Sequence, residues 1–348
     1  MWRRGLVLVA KVVLTVAVTV FIARRVGVDL QELASLDLTR WSLRPLPLIA
    51  SVVALALGYA WSASLWGRMV HELGGPRLPA RTTVPLFLVA NLGRYVPGKL
   101  LQIAGLTLLA RGRGVPAGVA AGAAVLGQGV ALLGATVVGV SAFLSPALPG
   151  SIRIWGWVGL GAVLAFVALT SVPGPAARLE ALVFRLTAAA RRFRSSGPGS
   201  STPLGGMPPA PDPGESPALP RLSRSFGLRW TALYAMNWGL YATAFWLLFL
   251  GLEGFLPFLY VAPAFAAAYV GGYLALFAPA GLGVREGLLV ALLLPVLEAE
   301  PALALAVVAR LWTTVVEVIP AALMAPGVLR GPRHDSPPHA SEAANGRS

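Results

Sequence analysis

Charged side chains and broken backbone occur together at two places in this otherwise apolar chain. The first is the stretch NLGRYVPGKL at 91–100, where Arg94 and Lys99 flank Pro97 and Gly98. In hydrocarbon an unpaired backbone group or a charge is costly, so both persist only where they face protein or a water-filled cavity. Freed helix amino termini also attract anions through their N–H groups. The stretch therefore predicts a polar cavity suited to an anionic group such as a phosphate.

The second place is LFAPAGLGVREGLL at 276–289, which aligns with the first when Pro279 is matched to Pro97. Its backbone breaks and charges are Pro279, Gly281, Gly283, Arg285 and Glu286. Gln128 lies as far after Pro97 in the sequence as Arg310 lies after Pro279, and each is a polar residue within an apolar helix. Glu317 follows on the same helix face as Arg310, about 10.5 Å further along the axis.

The two broken segments have similar surroundings but opposite directions. The helix after each of them opens with a proline in its first turn, Pro116 or Pro301, a favoured position there. The distribution of arginines makes the first of these helices run outward and the second inward. The pattern predicts an inverted repeat, the arrangement that many transporters use to build a binding site from broken helices.

Each charged candidate has a structural alternative to a role in binding. Arg94 and Lys99 lie close enough to the predicted membrane surface to act as interfacial side chains that reach toward lipid head groups. Arg285 with Glu286 is equally compatible with a salt bridge that only fixes the hairpin. Arg310 is compatible with a structural network to Glu286.

Composition predicts an all-α polytopic membrane protein. The 348 residues are 56% hydrophobic and 12% charged, with a mean hydropathy of +0.73, too little charge to cover a soluble domain. The predicted full spans are 5–23, 45–67, 116–143, 153–172, 229–251 and 302–328. Two Pro/Gly-broken segments complete the membrane domain. Segment 83–109 is short for two crossings, which favours a re-entrant hairpin, and 255–297 fits either two spans or a hairpin plus a longer helix.

Arginine placement predicts the orientation and the domain organisation. The basic stretch 173–228 should be cytoplasmic, as should both termini, in the cytoplasmic membrane. Residues 1–330 form one membrane domain, within which 195–220 is rich in Pro, Gly and Ser and is predicted to be a disordered linker. The segment 331–348 is predicted to be a disordered cytoplasmic tail.

Several function classes find no support in the residues. The chain has no cysteine, and His71 with Glu72 lacks the second histidine of a zinc motif, so no metal site is predicted. No catalytic residue, nucleotide-binding loop or cofactor motif is recognisable. The formal net charge of +14 reflects arginines that flank the spans, so it predicts contact with anionic lipids and not with nucleic acid.

NLGRYVPGKL and FAPAGLGVREGLL, in this order and about 180 residues apart, resemble motifs of the lysylphosphatidylglycerol synthase transmembrane-region family of flippase-like membrane proteins. The resemblance runs from the first helix to about residue 328. Some members add a soluble domain that makes the aminoacylated lipid, and this chain lacks one, so the resemblance implies the lipid-translocating part alone. Gln128 departs from the charged residue expected in many relatives. It is equally typical, like Asn91, of hydrogen bonding between helices.

The expected function is therefore translocation of a phospholipid or glycolipid head group, without enzymatic activity. Arg94, Arg285 and Arg310 would neutralise lipid phosphate, with Lys99 and Gln128 in the same cavity, and Glu286 or Glu317 would meet a cationic head group or hold an arginine. The expected partners are membrane lipids and a separate lipid-modifying enzyme. Two alternatives remain: a membrane-embedded transferase acting on lipid-linked substrates, and a structural partner of an envelope-assembly complex.

Overall fold

The computed structural model describes residues 43–95, 100–143, 150–171, 225–252, 256–275, 281 and 283–330. Within these ranges the chain is helical and contains no strand, which confirms the prediction of an all-α polytopic membrane protein. The helices are α1 (Pro45–Glu72), α2 (Ala80–Asn91), α3 (Leu100–Arg111), α4 (Ala117–Phe143), α5 (Gly150–Ser171), α6 (Phe226–Leu252), α7 (Phe258–Leu274), α8 (Val284–Leu293) and α9 (Ala299–Leu329), with a 3₁₀ turn at Leu92–Tyr95 after α2.

Five helices, α1, α4, α5, α6 and α9, are long and apolar enough to cross a membrane. They correspond to five of the six predicted full spans, and the remaining one, 5–23, lies outside the described residues. The linker 195–220 and the tail 331–348 also lie outside them.

The helices of the two broken segments are short. Helices α2 and α3 have 12 residues each, so each extends only about 18 Å against a hydrocarbon thickness of about 30 Å. In the second segment α7 has 17 residues and α8 has 10, so α8 extends about 15 Å. Helix α8 is too short to cross a membrane alone, whereas α7 is at the lower limit for a full span, so both options for 255–297 stay open, two spans or a hairpin plus a longer helix.

The helices form two similar series, α1–α4 and α6–α9. Each counterpart begins about 180 residues later: at 226 against 45, at 258 against 80, at 284 against 100, and at 299 against 117. The contacts between the two series are also equivalent. Helix α4 contacts α7 as α9 contacts α2, and α4 contacts α6 as α9 contacts α1. The first helix of each broken segment therefore packs on the last helix of the other series.

The counterpart helices α1 and α6 run antiparallel. At the start of α1, the backbone N–H of Arg44 donates to the carbonyl oxygen of Gly251 at 2.9 Å. At the end of α1, Glu72 accepts a hydrogen bond from the indole of Trp230, at the start of α6, at 3.1 Å. Two series of equivalent helices whose first members are antiparallel form an inverted repeat, as the proline spacing predicted.

The buried core is divided by a polar layer. On α1 one apolar cluster contains Leu55 and Tyr59, and the other begins at Leu65. Ser62 lies between them. On α6 the clusters are separated in the same way, and Asn237 lies in the gap. Long apolar helices thus pack above and below a layer in which their side chains are polar, and that layer contains the candidate site.

Candidate functional site

Two adjoining cavities occupy the polar layer. The larger encloses about 880 Å³ of space between atoms, open solvent included, and the smaller about 560 Å³. Side chains that line both are Tyr59, Arg94, Gln102, Tyr269, Arg285 and Thr313. Because the cavities share these walls, they form one polar region between the two helix series.

The charged residues predicted from the sequence converge on this region. Arg94 and Arg285 line both cavities, and Arg310 and Glu317 line the smaller one. Glu286 is brought to it by contact with Arg310. Gln128 lines the larger cavity. Lys99, Pro97, Gly98 and Pro279 lie outside the described residues, so their predicted roles stay predictions.

Two glycines shape the backbone that carries Arg285. Gly281 has a φ of 69°, and a Cβ there would lie 2.7 Å from the carbonyl oxygen of Gly272. Gly283 has a φ of 87° and precedes α8, and its N–H donates to the Oε2 atom of Glu286 at 2.9 Å. Positive φ is costly for any residue with a side chain, so this sharp entry into α8 requires glycine. The entry sets the position of Arg285 in the first turn of the helix.

Arg94 and Glu317 form an ion pair between the two helix series. The Nη1 atom of Arg94 lies 3.4 Å from the Oε1 atom of Glu317, and the hydroxyl of Tyr95 donates to the Oε2 atom at 2.8 Å. The Glu317 side chain is 2% exposed and that of Arg94 is 21% exposed. Arg94 and Tyr95, which precede Pro97 and Gly98 in the sequence, therefore hold the carboxylate of Glu317 on α9.

Arg310 and Glu286 form the second ion pair. The Nη1 atom of Arg310 lies 3.6 Å from the Oε1 atom of Glu286, and both side chains are almost completely buried. The other oxygen of Glu286 accepts the N–H of Gly283, as described above. This is the structural network that was the alternative to a binding role for Arg310, and it leaves the charge of Arg310 compensated.

Arg285 differs from the other two arginines. Within the described part of the chain no carboxylate lies within ion-pairing distance of Arg285. The two nearby glutamates form their ion pairs with other arginines, Glu286 with Arg310 and Glu317 with Arg94. Its guanidinium carbon lies 4.8 Å from the ring centre of Phe265 and 5.8 Å from that of Tyr269. Such stacking stabilises a cation without neutralising it. Three arginines and two glutamates thus leave one positive charge beside both cavities.

The remaining wall of the larger cavity is uncharged, and of its polar residues Asn91 and Gln128 were recognised in the sequence, whereas Ser62, Gln102 and Asn237 were not. Asn237 donates to the hydroxyl of Ser62 at 2.7 Å, and Ser62 is hydrogen-bonded to Tyr241 at 2.9 Å. Gln102 donates to the Oδ1 atom of Asn91 at 2.7 Å. In the sequence, Asn237 could have been recognised as a single amide within an apolar helix. The tyrosines and tryptophans of the wall have no such distinguishing feature, because most of these residues in membrane helices only pack.

The comparison with protein families matches residues 8–321 to one family model, described as lysylphosphatidylglycerol synthase TM region. The match includes both broken segments and every helix that lines the cavities. No curated protein and no solved structure matches the chain. Together, the five apolar helices and a match over most of the chain lead to one conclusion: the protein is a multi-pass membrane protein that belongs to the lysylphosphatidylglycerol synthase transmembrane-region family.

Proposed function

We propose that the protein translocates the head group of a phospholipid or glycolipid between the leaflets of the cytoplasmic membrane, without changing it chemically. The observation that supports this most strongly is Arg285, a cation that lines both cavities and has no carboxylate partner in the described ranges. Arg285 is only partly exposed, and a partly shielded charge without a counterion favours an anionic ligand beside it.

A lipid phosphate has the chemistry that Arg285 would bind. The planar guanidinium presents its N–H groups at the edge, where they contact two phosphate oxygens at once. The guanidinium carbon lies over the rings of Phe265 and Tyr269, which do not compete for its N–H groups as a carboxylate would. Arg94, which lines the same cavities, adds a second cation beside the phosphate.

The inverted repeat supports movement of the bound group between leaflets. In transporters built in this way the site lies where the two repeats meet, and one repeat moves against the other so that the site opens to each side in turn. The Arg94–Glu317 pair joins the two series here and would be among the contacts that change. The partners in this scheme are the lipids of the membrane and a separate enzyme that modifies them, and both termini are cytoplasmic.

The test is translocation in vesicles. Purified protein is reconstituted into phosphatidylcholine vesicles that contain phosphatidylglycerol labelled on its acyl chain, and dithionite added outside reports how much label becomes accessible. We expect Arg285→Ala to reduce the rate per folded molecule at least about tenfold, because a hydrogen-bonded charge contact is lost. Arg285→Lys should restore part of the rate, since an ammonium keeps the charge but not the two-pronged contact.

The matched control is Arg229→Ala. Arg229 lies at the cytoplasmic start of α6, lines neither cavity, and pairs with Glu72 at the surface, where such a pair contributes little. Its rate should equal that of the unmodified protein. If Arg285→Ala moves lipid as fast as this control, the phosphate contact, and with it the proposal, is wrong.

A further inference from the structure

Two equivalent tyrosines of the inverted repeat meet between the helix series. Tyr59 on α1 and Tyr241 on α6 are separated by 182 residues in the sequence, as Pro97 and Pro279 are. Their ring centres lie 5.5 Å apart, and the rings are inclined at 61°. Both residues line the larger cavity. The repeat thus contributes the same side chain twice to one cavity wall, and the surroundings of the two can be compared directly.

Only one of the two hydroxyl groups is hydrogen-bonded within the described structure. That of Tyr241 pairs with Ser62 on α1 at 2.9 Å, whereas that of Tyr59 has no hydrogen bond to a described residue. The repeat gives the reason, because the position equivalent to Ser62, 182 residues further along the chain, is Ala244. Alanine has no polar side chain, so Tyr59 lacks the partner that its counterpart has.

The hydroxyl of Tyr59 opens onto the cavities. Tyr59 is 8% exposed and lines both of them. The unpaired indole nitrogen of Trp66 has less than 1 Å² of accessible surface, whereas the Tyr59 oxygen retains more than that. A hydroxyl without a partner is costly in a site shielded from water. An unpaired hydroxyl that reaches a cavity therefore indicates a ligand in that cavity as its partner.

Glu317 is not the partner of this hydroxyl, although Tyr59 interacts electrostatically with it. One carboxylate oxygen of Glu317 lies 3.4 Å from Nη1 of Arg94, and the other accepts from Tyr95 at 2.8 Å. When this glutamate and Glu286 are both counted, the three arginines of the region leave one positive charge. The anion that balances the site is therefore singly charged.

Three hydrogen-bond donors from separate elements surround the same two cavities. They are the hydroxyl of Tyr59 on α1, the guanidinium of Arg94 after α2, and the guanidinium of Arg285 on α8. A phosphodiester has a single negative charge shared by two oxygens, so it accepts hydrogen bonds from several directions. Hydrogen bonds to ionised oxygens are roughly twice as strong as those between neutral groups. A phosphodiester thus has both the charge and the acceptors that these donors require.

We propose that Tyr59 is a further binding residue, whose hydroxyl donates a hydrogen bond to the lipid phosphodiester that Arg285 binds. The inference rests on the proposed function for the identity of the ligand as a lipid. It adds that the phosphate lies where the two cavities adjoin, and that only one of the two equivalent tyrosines contacts it. This binding can be measured without any movement of lipid.

The experiment measures binding of dihexanoyl phosphatidylglycerol to the full-length protein in detergent, by isothermal titration calorimetry. Tyr59→Phe should weaken binding about tenfold, because one hydrogen bond to an ionised group is lost. Thermal unfolding of this variant should be unchanged, since no described residue loses a partner. Tyr260→Phe is the matched control: Tyr260 is 59% exposed near the start of α7 and lines neither cavity, so neither measurement should change.

The equivalent tyrosine gives a structural comparison. Tyr241→Phe removes the partner of Ser62, which is buried, so it should lower the temperature of thermal unfolding. Tyr59→Phe should not lower it. Equal destabilisation by the two substitutions would show that the hydroxyl of Tyr59 also has a partner within the protein, and would overturn the inference.

A double-mutant cycle tests whether Tyr59 and Arg285 contact the same phosphate. Arg285→Lys keeps the charge but changes the phosphate contact. Two residues that share one ligand group are coupled, so Tyr59→Phe should weaken binding by less than about threefold in the Arg285→Lys background. The same tenfold loss in both backgrounds would show that the hydroxyl does not contact this phosphate.

A soluble ligand distinguishes a lipid from a free phosphodiester. Glycerophosphoglycerol has the same phosphodiester as phosphatidylglycerol but no acyl chains. It should bind more weakly than dihexanoyl phosphatidylglycerol, because the apolar contacts of the chains are lost. Equal affinity would overturn the assignment of the ligand to a lipid.

The two proposals fail in different ways. If Tyr59→Phe binds the lipid as tightly as the unmodified protein, water alone occupies the space beside the hydroxyl and this inference is wrong. Slower translocation by Arg285→Ala in the vesicle assay would then still support the proposed function. If Tyr59→Phe weakens binding but the unmodified protein moves no lipid, the phosphate site stands and the proposed function is wrong.

Discussion

Arg94 and Glu317 join the two helix series through an ion pair of 3.4 Å, which Tyr95 supports with a hydrogen bond of 2.8 Å to the same carboxylate. Arg94 and Tyr95 follow α2, and Glu317 lies on α9, so the contact connects the first broken segment with α9. Glu317 is shielded from water, whereas Arg94 keeps some exposure beside the cavity. Removing one member therefore has a different consequence from removing both.

We expect Glu317→Met to lower the free energy of unfolding by about 2–3 kcal/mol, because it leaves a partly buried guanidinium without its partner. The double variant Arg94→Met with Glu317→Met should recover at least half of that loss, since apolar side chains replace both charges. Unfolding in detergent, followed by tryptophan fluorescence, measures both. Additive effects of the two single substitutions would show that the ion pair does not couple the series.

Arg310 and Arg285 should respond differently to alanine. Arg310→Ala leaves Glu286 buried and unpaired and should cost about 3 kcal/mol of stability, with a lower yield of folded protein. Arg285→Ala leaves no carboxylate of the described structure unpaired, so its yield should stay close to that of the unmodified protein. Size-exclusion chromatography and thermal unfolding report both. The rescue variant Arg310→Ala with Glu286→Gln should regain folded protein, and equal losses for the two single variants would contradict the assigned roles.

Helix α4 offers a pair of glycines with opposite expectations. A Cβ on Gly134 would lie 2.6 Å from the backbone carbon of Tyr234, whereas one on Gly129 would have no atom within 4 Å. Gly134→Ala should therefore destabilise the protein by about 1–3 kcal/mol through forced separation of α4 and α6. Gly129→Ala should be neutral or stabilise by about 0.5 kcal/mol because alanine favours helix. Thermal unfolding of both variants distinguishes close packing from a general intolerance of α4 to substitution.

The inverted repeat makes a topological prediction. Gly112 in the turn before α4 and Glu298 before α9 are exposed and occupy corresponding turns of the two series. In this cysteine-free chain, Gly112→Cys should be protected from impermeant thiol reagents in intact cells and Glu298→Cys should be labelled. Labelling of both from outside, or of neither, would contradict opposite directions of the two series.

The repeat was predictable because proline and glycine act locally. Their effect on the backbone needs no knowledge of distant contacts, so the spacing of Pro97 and Pro279 in the sequence indicated both the repeat and the arginines beside it. The same reasoning could not choose the partner of each arginine. Glu286 is adjacent to Arg285 in sequence, yet helical geometry turns neighbouring side chains apart, and the carboxylate contacts Arg310 on another helix.

The uncharged wall of the larger cavity was only partly predictable, for a related reason. Asn91 and Gln128 were recognised as polar residues in apolar surroundings, but such residues usually hydrogen-bond between helices. Whether their donors are paired depends on the distances between α2, α3, α4 and α6. Trp66 has no distinguishing feature in sequence, because the packing of its ring and the state of its N–H group are decided by residues far away in the chain.

The packing of each series against the other has a consequence for biosynthesis. Tyr95 and Glu317, which are hydrogen-bonded in the finished protein, are 222 residues apart. At about 5–20 residues per second, the ribosome completes the carboxylate roughly 10–45 s after it has made the tyrosine. During that interval α2 and the turn after it exist without α9, which packs against α2, and Arg94 lacks its counterion. Of the described helices, α9 is thus synthesised after all the others and completes the contacts of the segment made early.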